Sequence, residues 1–512
     1  MDGPTTYREI ERKFRVHAMF KMPDLSGITD VAGVSQEPTR DMTAVYYDTA
    51  DLRLFRWKIT LRRREGGPDE GWHLKLPVDA RDDGARDELQ LPLSAGEPGQ
   101  VPEQLTDLLT ALVREQPLMP VATLRTERNP MLVLDQTQSP TLEIVDDLVS
   151  IMDGRNIAAR FREIEVEALD PAAAEGQLMR DVCDALLAGE AIPGTSSKAA
   201  SAVGPRAADP PDIPEPKRVH PQDPAADAIR AHLARHARRF LLQDVRVRRD
   251  LPDSVHQMRV AARRLRSGLQ AFSPLVEKEW SKHLRAELGW IARQLGQVRD
   301  TEVMISRLNE RTEELAADEG ALARETVHAI LGEEIIDARA HALKAMRSDR
   351  YRTLLVDLVA AVSDPQFTER ADGSCQDVLP KLVDKAWQSL AKDVAQLHLD
   401  GPAYPWHEAR IHAKRARYAT EAVQPVFGKQ VRPLTSALSD VTELLGDHQD
   451  AHVAQNTLVD LSKRSTLSGE SGFALGLLYA LEIEYELSLR SQFRRLWPHT
   501  VKAKKQTKLG DA

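Results

Sequence analysis

From residue 5 to about 170 the chain is a series of short runs in which polar and apolar side chains alternate. Tyr7–Val16 is the first. Side chains two apart on a strand share a face, so Glu9, Glu11 and Lys13 point one way and Ile10, Arg12 and Phe14 the other. Val45–Thr49 follows. Lys58–Glu65 and Trp72–Pro77, separated by Gly66-Gly67-Pro68, predict a hairpin with a longer loop. Asp87–Leu93, Val121–Arg128, Thr141–Val149 and Arg160–Ala168 continue the pattern. Leu105, Leu108, Leu109, Leu112 and Val113 change the period and predict a helix over 102–115, and a second helix is expected over 171–188. One face of strand after strand is charged, whereas a water-facing sheet needs charge only sparsely. The pattern therefore predicts an antiparallel eight-stranded β-barrel tunnel with a charged lumen and flanking helices.

Beyond residue 200 the pattern is helical. Eight prolines fall between 193 and 224, and Pro-rich segments are extended. The expected order is a first domain at 5–200, a Pro-rich linker at 201–222, a helical domain at 223–497 and a basic disordered tail at 498–512. Val255–Arg266 recurs as Trp406–Arg417 at an offset of 151 residues, each copy with His at its second position and cations three, seven, eight and ten residues later. Leu295–Asp300 recurs as Leu445–Asp450 at an offset of 150. The repeat predicts two related bundles of about four helices each. The fold class is α+β multidomain.

At 512 residues the chain is long enough for two or three cores. Its net charge of −9 hides an asymmetry. Residues 1–200 carry 23 Lys+Arg against 35 Asp+Glu, a net of −12, and the remainder is at +3. An acidic half that binds an anion needs metal or locally focused cations. Cys183 and Cys375 form neither a disulfide framework nor a zinc pattern. No signal peptide, membrane-spanning run or P-loop is found. A cytoplasmic protein is expected. His17, His73, His220 and His232 are read as surface or core residues rather than ligands.

Glu9-x-Glu11-x-Lys13, the Leu61–Arg64 run after Tyr46–Thr49, and Glu163-Ile164-Glu165-Val166-Glu167 together resemble the CYTH family, the triphosphate tunnel metalloenzymes, over residues 5 to about 200. The resemblance implies a tunnel that binds a linear triphosphate and Mg²⁺ or Mn²⁺. It implies metal-binding carboxylates at Glu9, Glu11, Asp147, Glu163 and Glu165, with Asp147 matching better than Asp146 and Glu167 as a further candidate. Phosphate contacts fall on Lys13, Arg62, Arg64, Lys75, Arg125, Arg128 and Lys198. Glu9, Glu11, Lys13, Arg62, Arg64 and Lys75 form the catalytic set. All-oxygen donors suit hard cations.

In the helical domain His256, Arg259, Arg263 and Arg266 fall on one stripe, as do His407, Arg410, Lys414 and Arg417, with Arg264 and Arg415 beside them. The first stripe contains no acid and the second only Glu408. This repeat resembles the CHAD domain, a conserved-histidine helical module, and implies that these ten residues bind inorganic polyphosphate. A polyanion held by repeated cations follows the physics of nucleic-acid backbones, but no sequence-reading module is present and no sequence-specific nucleic acid is expected. The reading is a metal-dependent triphosphatase, an acid-anhydride hydrolase, with a polyphosphate-binding domain. The alternatives are a non-catalytic polyphosphate-binding or targeting protein and a CYTH-type adenylate cyclase. The sequence sets no oligomeric state and predicts no membrane partner.

Overall fold

The computed structural model describes residues 5–9, 11–77, 86–170, 174, 176–194, 197–464, 467–507 and 509; for 7–9 it describes the backbone only. The chain divides into two compact units, Met1–Asp212 and Ile213–Ala512.

In the first unit the described residues form eleven strands: β1 (Thr5–Glu9), β2 (Glu11–Val16), β3 (Gly33–Gln36), β4 (Arg40–Asp48), β5 (Thr60–Glu65), β6 (Gly71–Pro77), β7 (Arg86–Leu91), β8 (Met119–Leu134), β9 (Pro140–Asp153), β10 (Asn156–Ala168) and β11 (Ile192–Pro193). Five helices join them: α1 (Arg53–Arg56), α2 (Glu103–Leu108), α3 (Thr110–Val113), α4 (Gln177–Ala188) and α5 (Lys198–Val203). The strands make one antiparallel sheet in the order β1-β7-β6-β5-β4-β8-β9-β10-β2-β11, with β3 paired to β8. The expected closed eight-stranded barrel is thus corrected to an eleven-stranded sheet that is not closed. The N-terminal run contributes two strands, β1 and β2, and Ile10 between them lies outside the described residues. On one side of it Glu9 registers with Arg86 of β7, and on the other Glu11 registers with Glu167 of β10. The hydrogen-bonded path runs from β1 at one end to β11 at the other, with β2 between β10 and β11. Gly66 makes the β5–β6 turn at φ 82°, where a Cβ would meet the Asp41 carbonyl oxygen at 2.3 Å.

Register places the charged residues on one face. Tyr46 lies opposite Arg62, Arg62 opposite His73, and Lys75 opposite Glu88. Arg128 lies opposite Asp147, Asp147 opposite Glu163, Glu163 opposite Arg15 and Glu165 opposite Lys13. Directly opposed residues share a face, so the charged side is continuous from β2 through β10, β9 and β8 to β7. The reverse face is apolar. There Phe14, Ile144, Ile164 and Val166 cluster with Met179, Val182 and Leu186 of α4. On the charged side Ala199 of α5 clusters with Tyr46, Leu124 and Val149.

The second unit holds, among the described residues, α6 (Ala225–Arg248), α7 (Ser254–Ala271), α8 (Lys278–Thr312), α9 (Ala317–Met346), α10 (Asp349–Ser363), α11 (Cys375–Val394), α12 (Ala403–Phe427), α13 (Arg432–Ser462) and α14 (Gly469–Gln506). From α6 to α9, and again from α11 to α14, each helix packs on the next, and α10 packs on α6 and α8. The two helices that carry the repeated basic runs, α7 and α12, pack against each other. Over 498–506 the expected disordered tail is corrected, because α14 continues to Gln506; 508 and 510–512 lie outside the described residues. Thr500 is buried, and Lys504 Nζ lies 2.9 Å from Asp384 Oδ1, which ties the last turns to α11.

Candidate functional site

On the charged sheet face the acids and cations are interleaved at hydrogen-bond range. Lys13 Nζ donates to Glu165 Oε1 at 2.9 Å and lies 2.8 Å from Glu11 Oε1. Arg128 donates from Nε and Nη2 to the two oxygens of buried Asp147, at 2.9 and 2.7 Å, and from Nη2 to Glu165 Oε2 at 3.1 Å. Lys198 enters from α5, whose first turn Ser197 caps by accepting from the Ala200 N–H. Its Nζ stands 2.7 Å from Asp147 and 2.6 Å from Glu165. Burial alone would drive these groups neutral. For Glu165 it is outweighed by Lys13, Lys198 and Arg128, which hold its carboxyl well below the usual range. For Lys13 it is outweighed by Glu11 and Glu165, which push the ammonium well up.

Glu163 is the exception. It is fully buried, neither oxygen has a hydrogen-bond partner, and its nearest cations are Arg15 Nε at 3.4 Å and Lys198 Nζ at 3.6 Å. Burial raises its pKa despite those neighbours.

The other wall is cationic around one acid. Glu88 of β7 accepts from His73 Nδ1 at 2.7 Å and lies 3.6 Å from both Arg62 Nη2 and Lys75 Nζ. Although burial opposes it, Lys75, His73 and Arg62 hold Glu88 far below the carboxylate range. Arg62 also donates to the Tyr46 hydroxyl at 3.5 Å. Arg64 is buried against Asp69, and burial together with Arg62 and Arg128 pushes its guanidinium down to about 9. Lys75 acts on Glu11 and Lys198 acts on Tyr46, so the two walls feel each other's charge.

Mg²⁺ or Mn²⁺ finds suitable donors here, all of them carboxylates, and the orphaned oxygens of Glu163 fit a cation. The arrangement fits less well: among the described residues no group of three or more His, Cys, Asp or Glu stands together as a metal site. Asp147 and Glu165 are instead tied to Arg128 and Lys198, and Glu11 to Lys13.

The sheet face gathers Glu11, Lys13, Arg62, Arg64, Lys75, Arg128, Asp147, Glu163, Glu165 and Lys198. The Glu9 side chain lies outside the described residues. Arg125 does not join: three residues from Arg128 on β8, it takes the opposite face and is exposed. Sequence reasoning missed Glu88 and Arg15 and read His73 as a surface or core residue. Strand phase points to Arg15 and His73, which stand two residues from Lys13 and Lys75, whereas Glu88 joins through its register with Lys75.

In the second unit the two basic stripes converge. Arg259 and Arg263 on α7 and Arg410 on α12 all bear on Lys414, which burial and these cations push down to about 7. Arg263 stands over the Tyr418 ring at 5.7 Å. The second repeated run supplies counter-groups to the first. Asp300 Oδ1 lies 2.9 Å from Arg259 Nη1, Asp450 acts on Arg410, and Gln449 meets His407 Nδ1 at 2.7 Å. Arg264 Nη2 lies 3.2 Å from Glu421 Oε2, and Arg417 donates to Glu421 Oε1 at 2.7 Å. His256 is half-buried among Arg259, Arg263 and Arg299. Arg266 and Arg415 are exposed. His232, read as a lone residue, is paired: His236 follows one turn later, with ring centroids 4.5 Å apart.

A model of the CYTH domain matches residues 7–181 and a model of the CHAD domain matches residues 217–459. Uncharacterized proteins from two strains of Mycobacterium tuberculosis are each 34% identical over 523 residues, covering 96% of this chain and 95% of theirs. Among solved structures, PptA from Streptomyces chartreusis is 23% identical and covers 54% of this chain and 100% of its own, with a TM-score of 0.47. The CHAD domain from the plant Ricinus communis is 27% identical and covers 55% and 94%, with a TM-score of 0.46.

Proposed function

Because this chain belongs to the family of two-domain proteins in which a CHAD domain follows a CYTH domain, we propose that it is a metal-dependent triphosphatase whose helical unit binds inorganic polyphosphate. The observation that carries this reading is the exchange of partners available on the sheet face. Arg128, Lys13 and Lys198 are held by Asp147, Glu11 and Glu165, while Arg62 and Lys75 stand near Glu88. A linear triphosphate supplies the oxyanions that such cations prefer, bidentately for the arginines. When phosphate oxygens replace the carboxylates, Glu11, Asp147, Glu163 and Glu165 are left as negative charges in a buried place. Those residues, with Glu9, would hold Mg²⁺ or Mn²⁺. The metal, when bound, polarises a phosphoryl oxygen and neutralises developing charge.

The residues themselves do two things. Arg62, Arg64 and Lys75 on one wall and Lys13, Arg128 and Lys198 on the other position the chain of phosphates, and they stabilise charge on the transferring group. His73 keeps Glu88 among the cations by holding one of its oxygens. Neither metal nor anion completes the charge balance alone, so each tightens the other's binding.

Phosphate release from tripolyphosphate, ATP, thiamine triphosphate and long-chain polyphosphate, with Mg²⁺ or Mn²⁺, tests the reading. Cyclic AMP from ATP would instead support a cyclase. Glu9→Gln with Glu11→Gln should lower turnover at least about 100-fold; an unchanged rate sinks the assignment. A second reading, binding without turnover, is favoured by the absence of a gathered metal group among the described residues. It predicts that tripolyphosphate binds and that no phosphate is released with either metal.

A further inference from the structure

The helical unit contains a cavity of about 450 Å³ lined by His232, Arg235 and His236 of α6, Arg264 of α7 and Tyr418 and Glu421 of α12. Its polar groups are poorly matched to one another. His236 is 5% exposed and its Nδ1 has no hydrogen-bond partner. The Arg264 Nε is likewise buried and unpartnered. His232 is committed, with its Nε2 3.1 Å from the Arg264 carbonyl oxygen and its ring against Gly268. The one acid, Glu421, is shared between Arg264 and Arg417. Among the described residues Arg235 has no ion pair, and it also borders a smaller cavity lined by Lys217 and Arg218. Arg235 is exposed and Arg264 half-buried, so the cavity sets two guanidiniums and a buried, unmatched imidazole against one carboxylate, and a negatively charged acceptor suits that surplus of donors.

We propose that this cavity is a binding site for a small oxyanion, held by the Arg235 and Arg264 guanidiniums and by His236. The shared chemistry is that of a free phosphate or a small carboxylate. The site is distinct from the converging stripe of Arg259, Arg263, Arg410 and Lys414, and the inference does not rest on catalysis by the first unit.

Binding should be linked to proton uptake. His236 faces His232, Arg235 and Arg239 on its own helix and Arg264 on α7, with Glu421 the acid that α12 contributes to the lining. Among the described residues lining the cavity, none comes from α10 or α11. Burial and these cations hold His232 near 4 and His236 near 2. An anion seated between Arg235 and Arg264 cancels the repulsion, raises both values and favours the imidazolium, whose Nδ1–H then donates to it. Affinity therefore rises as pH falls.

The test uses full-length protein and calorimetric titration with sulfate, which keeps its charge near neutrality, and with orthophosphate and acetate to separate the two anion sources. Sulfate should bind at least about threefold tighter on moving from about pH 8 to about pH 6. Arg235→Gln and His236→Asn should each weaken it at least about tenfold and keep long-chain polyphosphate binding, which also reports that they are folded. Histidine-ring NMR of the unsubstituted protein needs no variant: two ring signals should shift on sulfate addition. Absence of binding by all three anions overturns the proposal. So does binding that Lys414→Ala removes and Arg235→Gln leaves intact, because the anion then sits on the stripe.

Discussion

Glu163 is buried with no hydrogen bond to either oxygen, on a face where its neighbours Asp147 and Glu165 are tied to cations. Burial lifts its folded-state pKa above the ordinary carboxylate value. Between the two values the native state binds more protons than the unfolded chain, so stability falls as pH rises through that window and stays lower above it. Glu163→Gln keeps the shape and removes the charge. Without metal, the substituted protein should unfold at the same or a higher temperature at neutral pH and lose that decline. With Mn²⁺ the parent's midpoint should rise and the variant's should rise much less, a metal affinity at least about tenfold weaker. A clearly lower midpoint without metal would count against Glu163 as a reserved ligand. Lys414 poses the opposite case. Burial, with Arg410 and Arg263, holds its ammonium near 7, whereas polyphosphate would restore it. Polyphosphate affinity should be greatest below about pH 7 and decline as pH rises toward the ordinary lysine value near 10. Lys414→Arg should flatten that decline, and Lys414→Met should reduce the salt slope by about one. Equilibrium binding against pH and salt measures both. Residues of this kind were legible where strand or helix phase was followed. Arg125, which the resemblance implies, stands three residues from Arg128 and so falls on the other face of β8, and His236 stands four residues, one helical turn, from His232. The orphaned state of Glu163 is a property of packing that no spacing reveals.

At the scale of elements, alternation identified the strands because each is charged on one face and apolar on the other. It could not identify how the sheet ends, since that depends on long-range pairing: β1 with β7, and β2 with β10 and β11. The tail beyond 497 read as basic and unstructured because its charges are dense. Yet Trp497 stacks on Trp387 at 5.3 Å and Lys504 reaches Asp384, and these tertiary partners extend α14. The two repeated runs of the helical unit are legible as repeats, and the structure supplies a reason why they recur together. α8 presents Asp300 to Arg259, and α13 presents Gln449 to His407 and places Asp450 to act on Arg410. The acids restrain the cations and also compete with any anion. Asp300→Asn should therefore tighten polyphosphate binding two- to fivefold at low salt, a difference of about 0.5–1 kcal/mol. The gain should shrink as salt is raised, because it is electrostatic in origin. Weaker binding by this variant would mean that Asp300 chiefly orients Arg259. On the sheet, Ser197→Ala removes the cap of the helix that presents Lys198, at a cost of about 1 kcal/mol. Triphosphate binding should weaken up to about fivefold, with polyphosphate binding by the helical unit unchanged. Titrating both ligands on one preparation makes the comparison internal.

At the scale of the whole molecule, each unit contains its own core. Phe14, Ile164, Val182 and Leu186 belong to the first, and Leu308, Val327, Leu458 and Leu478 to the second. A single unfolding transition is then not required, and calorimetry should resolve two. The charge distribution makes them separable. The first unit concentrates its buried ion pairs on one sheet face, where on the proposed reading anion and metal would together replace internal partners. The second has a cationic cluster whose members repel one another, a repulsion that a bound polyanion would relieve. A ligand that binds only the native form stabilises by about 2.7 kcal/mol at 100 times its Kd. Tripolyphosphate with Mn²⁺ should raise one transition by several degrees. Long-chain polyphosphate without metal should raise the other, with an effect that fades as salt increases. Arg259→Ala with Arg410→Ala should abolish only the second shift, and Glu9→Gln with Glu11→Gln only the first. If one ligand moved both transitions equally, and either pair of substitutions cancelled both movements, the two units would share a single binding function and the division of labour argued from their charges would be wrong.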